Sequence, residues 1–228
     1  MSLHIDSISH TYQSPGLEDR TVLHPTPTLE LPAGSQLLLR GISGSGKTTF
    51  LNILAGLLRP TAGEIALSGK SLYAMSESQR DRFRNQHIGY VFQNHHLLPM
   101  LTAVENVAMP LAFAGMGKKE RHGRAEKLLS QVALIDYAQH RPAQLSTGQR
   151  LRVGVVRALA NQPSLVLADE PTAALDAEAA DAVMNLLQTT CTEIGAILIV
   201  ASHDPAVVSR FSTIWNLSAG QLTINNEQ

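Results

Sequence analysis

Two stretches of the chain are apolar without interruption. Leu165-Val166-Leu167-Ala168 is bounded by Pro163 and Asp169, and Ala196 to Val200 repeats the pattern. Runs with no polar alternation fit strands of a parallel sheet covered on both faces. Gln36-Leu37-Leu38-Leu39 and Ile88-Gly89-Tyr90-Val91-Phe92 read as further strands, the second ending at Gln93. Elsewhere the spacing is helical. Phe50, Ile53, Leu54 and Leu57 predict a helix to about Leu58, stopped by Pro60. Leu128, Leu129 and Val132 share a face over Glu120 to Ala133, and Val183, Leu187 and Cys191 do so over Ala177 to Glu193. Ser76 to Arg84 is polar and helix-compatible, Asp204 to about Arg210 predicts another helix, and Asn94 to Ala160 reads as largely helical.

The ends of the chain read differently. Leu3, Ile5 and Ile8 suggest a first strand, with Tyr12 in the polar stretch that follows. Ser14-Pro15-Gly16 and the Pro25 to Pro27 region read as turns, and Gly63-Glu64-Ile65-Ala66-Leu67 as a returning strand. Together they predict an antiparallel β-layer placed before the α/β core. Thr213 to Ile224 predicts short strands around Gly220. The 228 residues suffice for one domain with a substantial insertion. The formal net charge of −1 gives no reason to expect a nucleic-acid partner. Cys191 is the one cysteine, so no internal disulfide is possible, and its place on an apolar face predicts a core residue. The opening residues, Met1 to Asp6, lack the basic and apolar regions of a signal peptide. No apolar run approaches the ~20 residues of a membrane helix, so work at a membrane is expected to pass through a partner.

The chemistry concentrates in three places. Gly41-Ile42-Ser43-Gly44-Ser45-Gly46-Lys47-Thr48-Thr49 fits GxxxxGK followed by Ser or Thr, the phosphate-binding loop. Glycines let several backbone N–H groups converge on a polyphosphate. A helix beginning there adds free N–H groups and the positive end of its dipole. Lys47 is expected to reach the β- and γ-phosphates, and the Thr48 hydroxyl to complete a Mg²⁺ shell. Asp169-Glu170 follows a buried strand, where carboxyl ends point into the ligand crevice of such sheets. Asp169 suits the Mg²⁺ shell, and Glu170 suits orienting or deprotonating a water. Leu145-Ser146-Thr147-Gly148-Gln149 precedes a helix over Arg150 to Leu159 and suits either an anion site or an ordinary helix cap.

Taken together, and over nearly the whole chain, these residues resemble the ATP-binding-cassette ATPases. The resemblance implies an α/β fold: a P-loop NTPase (RecA-like) mixed-sheet core, an antiparallel β-subdomain and an α-helical subdomain. It implies a single domain over 1–228, with 1–93 and 161–228 forming the core and β-subdomain and 94–160 the helical part. Its ligands are ATP and Mg²⁺. In the family's terms Tyr12 stacks on adenine and Gly41 to Thr48, including Ser43, Gly44, Ser45 and Gly46, form the phosphate loop, continued by Thr49. Gln93 reaches the metal and the attacking water, Glu170 is the catalytic carboxylate, and His203 is the switch histidine at the γ-phosphate. Ser146, Gly148 and Gln149 belong to the signature, and Ala174-Leu175-Asp176 to the loop that crosses to the opposite subunit. The family's LSGGQ reads LSTGQ here. A β-branched Thr147 is expected to stiffen the loop, to resist φ > 0 and to tune rate or closed-dimer affinity.

Phe83 to Gln93, running through Asn94-His95-His96-Leu97-Leu98-Pro99 into Leu101 to Pro110, resembles one branch. That branch holds lipoprotein-releasing, macrolide-export, heterocyst-glycolipid-export and cell-division ATPases. It implies an ATP-hydrolysing subunit, paired with a second copy of itself and held on the cytoplasmic face of the inner membrane by a permease subunit. That subunit is expected in a groove after Gln93, with Leu97, Leu98, Pro99 and Met100 as candidate lining. The competing readings are a cell-division signalling ATPase without cargo and a soluble ABC protein acting on DNA or ribosomes.

Overall fold

The computed structural model describes residues 1–13, 16, 18–173 and 175–226. Ser14 and Pro15 of the first expected turn, and Ala174 of the crossing loop, lie outside the described residues.

A six-stranded sheet carries the α/β core. Its order is β11 (Gln221–Asn226), β10 (Thr213–Ser218), β4 (Gln36–Arg40), β9 (Ile197–Ala201), β8 (Leu165–Asp169) and β7 (Ile88–Val91). All neighbours are parallel except the β10–β11 hairpin. Every residue of β8 and β9 is buried. Side chains alternate across a strand, so each of these strands feeds two cores. Leu165, Leu167, Ile197 and Ile199 face a cluster that holds Phe50, Leu51 and Leu54. Val166, Ala168, Leu198 and Val200 face a second cluster with Val155, Leu159, Val183 and Leu187.

The helices are α1 (Lys47–Leu54), α2 (Glu77–His87), α3 (Ala103–Phe113), α4 (Lys118–Gln131), α5 (Thr147–Leu159), α6 (Ala177–Ile194) and the short α7 (Pro205–Val208). A third core lies among α3, α4 and α5, built on Val107, Leu111, Leu129 and Val156. Helix α5 therefore contributes side chains both to the sheet's covering layer and to the helical core. Cys191 is buried, and burial pushes its thiol up to about 12, as a core residue requires.

One helical expectation is corrected. Helix α1 ends at Leu54, before Leu58, because Gly56 takes φ +68 and the Leu57 and Leu58 amides close back on the Asn52 carbonyl. Leu57 is left 48% exposed and does not join the core. The stretch from Asn94 to Ala160 is largely helical as expected, with residues 94–102 irregular. The fully buried Asn106 holds part of this path, its Nδ2 donating to the Leu98, Leu101 and Thr102 carbonyls.

The antiparallel layer runs β2 (Arg20–Leu23), β1 (Ser2–Tyr12), β5 (Ala62–Leu67) and β6 (Lys70–Ser71), with β3 (Leu29–Pro32) also on β1. Strand β1 extends through Tyr12, beyond the expected apolar stretch. Its buried positions change parity on the way: Leu3 and Ile5 before, Ile8 and His10 after. The cause is a bulge. Asp6 pairs with Glu64 and Ser9 with Ala62, so β1 carries one extra residue there, with Ser7 at φ 46. Gly63 makes the bulge possible, since a Cβ there would lie 2.5–2.6 Å from the Asp6 carbonyl and the Ile8 backbone. The parity change brings the side of Ile8, His10 and Tyr12 round to the one that Leu3 and Ile5 occupy before the bulge.

Candidate functional site

Tyr12 ends β1 and the phosphate loop ends β4, and one contact brings them together. A Cβ on Gly46, which sits at φ +104, would come within 2.9 Å of the Val22 carbonyl on β2. Only glycine allows that approach. A cleft of about 660 Å³ results, bordered by Tyr12, Ser43, Gly44, Gly46, Lys47, Thr48, Thr49, Gln93, Asp169, Glu170 and His203. Gly41 and Ser45 do not border it. Gly41 instead offers its carbonyl to Lys47 Nζ at 2.6 Å, and Ser45 is buried. Ser45 donates its amide to the Ile42 carbonyl at 3.2 Å, closing the loop's turn.

The chemistry sits at the carboxyl ends of β8 and β9. The Thr48 hydroxyl donates to Asp169 Oδ2 at 2.6 Å. Asp169 is 4% exposed, and burial, with Glu170 beside it, holds its carboxyl above the usual carboxylate range against the lowering effects of Thr48 and Lys47. Glu170 is strained, at φ 47, with its amide bonded to the Ala201 carbonyl. One carboxylate oxygen, Oε1, lies 2.8 Å from His203 Nδ1 and 3.5 Å from Lys47 Nζ. The other accepts from the Ser202 hydroxyl at 3.1 Å. The carboxylate is thus gripped on both oxygens, while the His203 side chain stays 70% exposed.

Ser202, fully buried, is a site residue the sequence reading missed. Its signal was the Ser-His pair directly after an apolar strand. Arg20 was missed as well. It borders the cleft and pairs directly with Tyr12 across β1 and β2. Tyr12 is 41% exposed, and its hydroxyl lies 3.3 Å from Thr49 Oγ1.

The signature is not brought to this cleft. Ser146 caps α5, accepting from the Gln149 amide at 3.2 Å while Gln149 Oε1 takes the Ser146 amide at 2.8 Å. Thr147 is the first residue of α5, and its backbone is not left-handed, so the expected conflict with φ > 0 does not arise. Its hydroxyl accepts from Arg150 Nη2 at 3.0 Å. Asp176 caps α6 through the Ala179 amide. Neighbouring Leu175 abuts Gly148, 3.5 Å from where a Cβ would stand. Signature and crossing loop therefore meet each other, and Ser146, Gly148, Gln149 and Asp176 do not border the phosphate-loop cleft.

A second, apolar cleft of about 400 Å³ follows Gln93. Leu57, Tyr90, Phe92, His96, Pro110 and Phe113 are among its walls. The rings of Tyr90, Phe92 and His96 pack in succession at 4.2 and 4.8 Å. Arg157 of α5 donates to the His96 and His95 carbonyls at 2.7 and 2.8 Å, tying the segment after Gln93 to the helix behind the signature. Leu97, Leu98, Pro99 and Met100 do not border this cleft. Leu97 packs on the helical core, and Leu98, Pro99 and Met100 are exposed outside the cleft. The irregular path of residues 94–102 turns them away.

Comparison with known proteins agrees with this geometry. A profile of the family described as ABC transporter matches residues 26–173. The chain is 41% identical to the lipoprotein-releasing system ATP-binding protein LolD of Chromohalobacter salexigens, over 97% of this chain and 92% of that protein. It is 47% identical to LolD 1 of Caulobacter vibrioides, over 86% and 85%. Among solved structures, a dimeric post-hydrolysis state of the ATP-binding cassette MJ0796 bound to ADP and Pi superposes with a TM-score of 0.92. It is 35% identical, covering 99% of both chains. Phosphate loop, acidic strand end and family match converge: the chain belongs to the ABC transporter family, as one of its ATP-hydrolysing cassettes.

Proposed function

We propose that two copies of this chain enclose ATP between them and that their closure drives a separate membrane subunit of the lipoprotein-releasing kind. The carrying observation is the grouping of Lys47, Thr48, Asp169, Glu170 and His203 in one cleft. The names of the relatives and the dimeric state of the matched structure support the assembly. Tyr12 stacks on adenine, and the phosphates rest on the amides of Gly44 to Thr48, with Lys47 at the β- and γ-oxygens. Thr48 and Asp169 present hydroxyl and carboxylate oxygens side by side, a hard donor pair that fits Mg²⁺. No cluster of three or more His, Cys, Asp or Glu occurs among the described residues. Thr48, Asp169 and Gln93 are the residues that would hold the ion. When bound, the ion neutralises charge on the phosphate oxygens.

Glu170 orients and deprotonates the attacking water, held in place by Ser202, while His203 and Gln93 contact the γ-phosphate side. Ser146, Gly148 and Gln149 of the second copy close the cage, with Asp176 crossing at the same surface. A two-fold pairing makes both sites equivalent. ATP favours the closed pair, and hydrolysis removes the bridge. Residues 94–160 then act as the lever between nucleotide and membrane subunit.

Asp169→Asn tests the metal assignment. The carboxyl is raised in the folded state, so its burial costs stability once pH exceeds the ordinary carboxylate value, and the cost is complete above the folded pKa. The amide escapes this cost and still accepts from Thr48. We expect Mg²⁺-dependent ATP turnover to be lost while the nucleotide-free fold gains roughly 0.5–2 kcal/mol at neutral pH in urea unfolding. Loss of stability with retained turnover would contradict the assignment.

The apolar cleft after Gln93 is assigned to a short helix of the membrane subunit, which keeps the ATPase peripheral on the cytoplasmic face. No helix among the described residues is long and apolar enough to cross a membrane. Phe113, 73% exposed at the rim, is the residue to change. Phe113→Glu is expected to lower co-purification with the membrane subunit at least about tenfold, the scale of a lost aromatic anchor. ATP turnover by the isolated subunit is expected to persist. Undiminished co-purification would move the docking site elsewhere.

A further inference from the structure

We infer that His10 is a positioning residue for the base platform, acting through Tyr12; the inference rests on the reading of Tyr12 as the adenine-stacking residue. His10 lies two residues before Tyr12 on β1, so the alternation of the strand puts both on one side. Their rings meet edge to face, centroids 4.5 Å apart and planes at 84°. Aromatic pairs favour this arrangement beyond the area they bury. His10 is 7% exposed, whereas Tyr12 keeps 41% of its surface open to the cleft. The buried ring thus backs the open one.

The chemistry of His10 is otherwise unexplained. Neither Nδ1 nor Nε2 has a hydrogen-bond partner among the described residues. A buried polar ring without partners is unfavourable for the fold alone. Burial holds its pKa below the usual histidine value, so the ring is uncharged at neutral pH and behaves as an aromatic surface. The Arg59 carbonyl opposes that shift without reaching a ring nitrogen in hydrogen-bond geometry.

Tyr12 is held from a second direction, its hydroxyl lying 3.3 Å from Thr49 Oγ1 just beyond the phosphate-loop lysine. Base platform and phosphate loop are thereby set to one spacing. Removing the backing ring frees the tyrosine to turn about its side-chain bonds. Nucleotide binding then has to restore the orientation, which weakens affinity and leaves the chemical step alone.

The test compares the wild-type protein with His10→Phe, His10→Leu and Tyr12→Ala, measuring KM and kcat for ATP by phosphate release and thermal unfolding of each. His10→Phe restores an aromatic edge and is expected to keep KM within about twofold. His10→Leu is expected to raise KM roughly three- to tenfold with kcat within about twofold. Its unfolding midpoint should equal or exceed wild type, because two unpaired polar atoms are gone. Tyr12→Ala should raise KM at least as far. An unchanged KM in His10→Leu beside a raised one in Tyr12→Ala overturns the inference and leaves the nucleotide reading intact. An unchanged KM in Tyr12→Ala overturns both. A fall in kcat or unfolding midpoint that accompanies the KM change in His10→Leu shows a structural role and overturns the inference.

Discussion

Glu170→Gln is expected to bind ATP about as well as the parent chain and to hydrolyse it at least about 100-fold more slowly, the usual contribution of a positioned base. The amide is nearly isosteric, so Ser202 still donates to one oxygen, and the strained backbone at φ 47 is unaltered. What disappears is the negative charge 3.5 Å from Lys47 and 2.8 Å from His203 Nδ1. The proton acceptor is lost, while the phosphate-binding groups remain. Because closure depends on the γ-phosphate, slow hydrolysis should leave ATP-bound chains paired. Light scattering with ATP and Mg²⁺ should show the dimer, and single-turnover phosphate release should give the rate. Turnover within tenfold of the parent would remove Glu170 from the role of base.

The parts of this site that were legible in the sequence are those whose geometry is local. The phosphate loop carries its own turn, glycines and helix start within consecutive residues, so its spacing alone specifies it. Asp169 and Glu170 were legible because a buried strand fixes where its carboxyl end points. Ser202 and Arg20 were not, since each acquires its place from a partner strand far along the chain. Arg20 depends on its register opposite Tyr12, and Ser202 on β8 and β9 lying side by side. The bulge in β1 shows the limit from another side. The break between Ile5 and Ile8 was visible, but its meaning required the β5 partner that carries Gly63.

Loop courses were the least legible. Gly56 ended α1 ahead of Pro60, because a left-handed residue closes a helix as firmly as a missing N–H does. The course of residues 97–100 was hidden for a similar reason. Asn106 folds that segment against α3, so Leu97 to Met100 do not border the apolar cleft, whose walls come from α2, β7, α3 and the end of α5. Helix α5 joins these features physically. It begins at the capped signature, packs on both the sheet and the helical core, and holds the His95 and His96 carbonyls through Arg157.

Two inactive variants are expected to regain activity when mixed. Ser146→Asp keeps a good helix cap for α5 but sets a negative charge where the second copy's γ-phosphate is expected. His203→Ala removes a side chain that is 70% exposed, at little cost to the fold. Each variant alone should lose nearly all ATP turnover, because in a pair of identical chains both sites carry the defect. In a mixed pair the defects fall together. The site using the His203→Ala phosphate loop meets the Ser146→Asp signature, and the other site is wholly unmodified. Random assortment makes about half the pairs mixed, each with one sound site of two, so turnover should recover to about a quarter of the parent value. The separation of signature from phosphate loop within one chain motivates the experiment. A mixture no more active than its components would argue that cage and signature do not come from different copies, and the proposed coupling of hydrolysis to movement would fall with it.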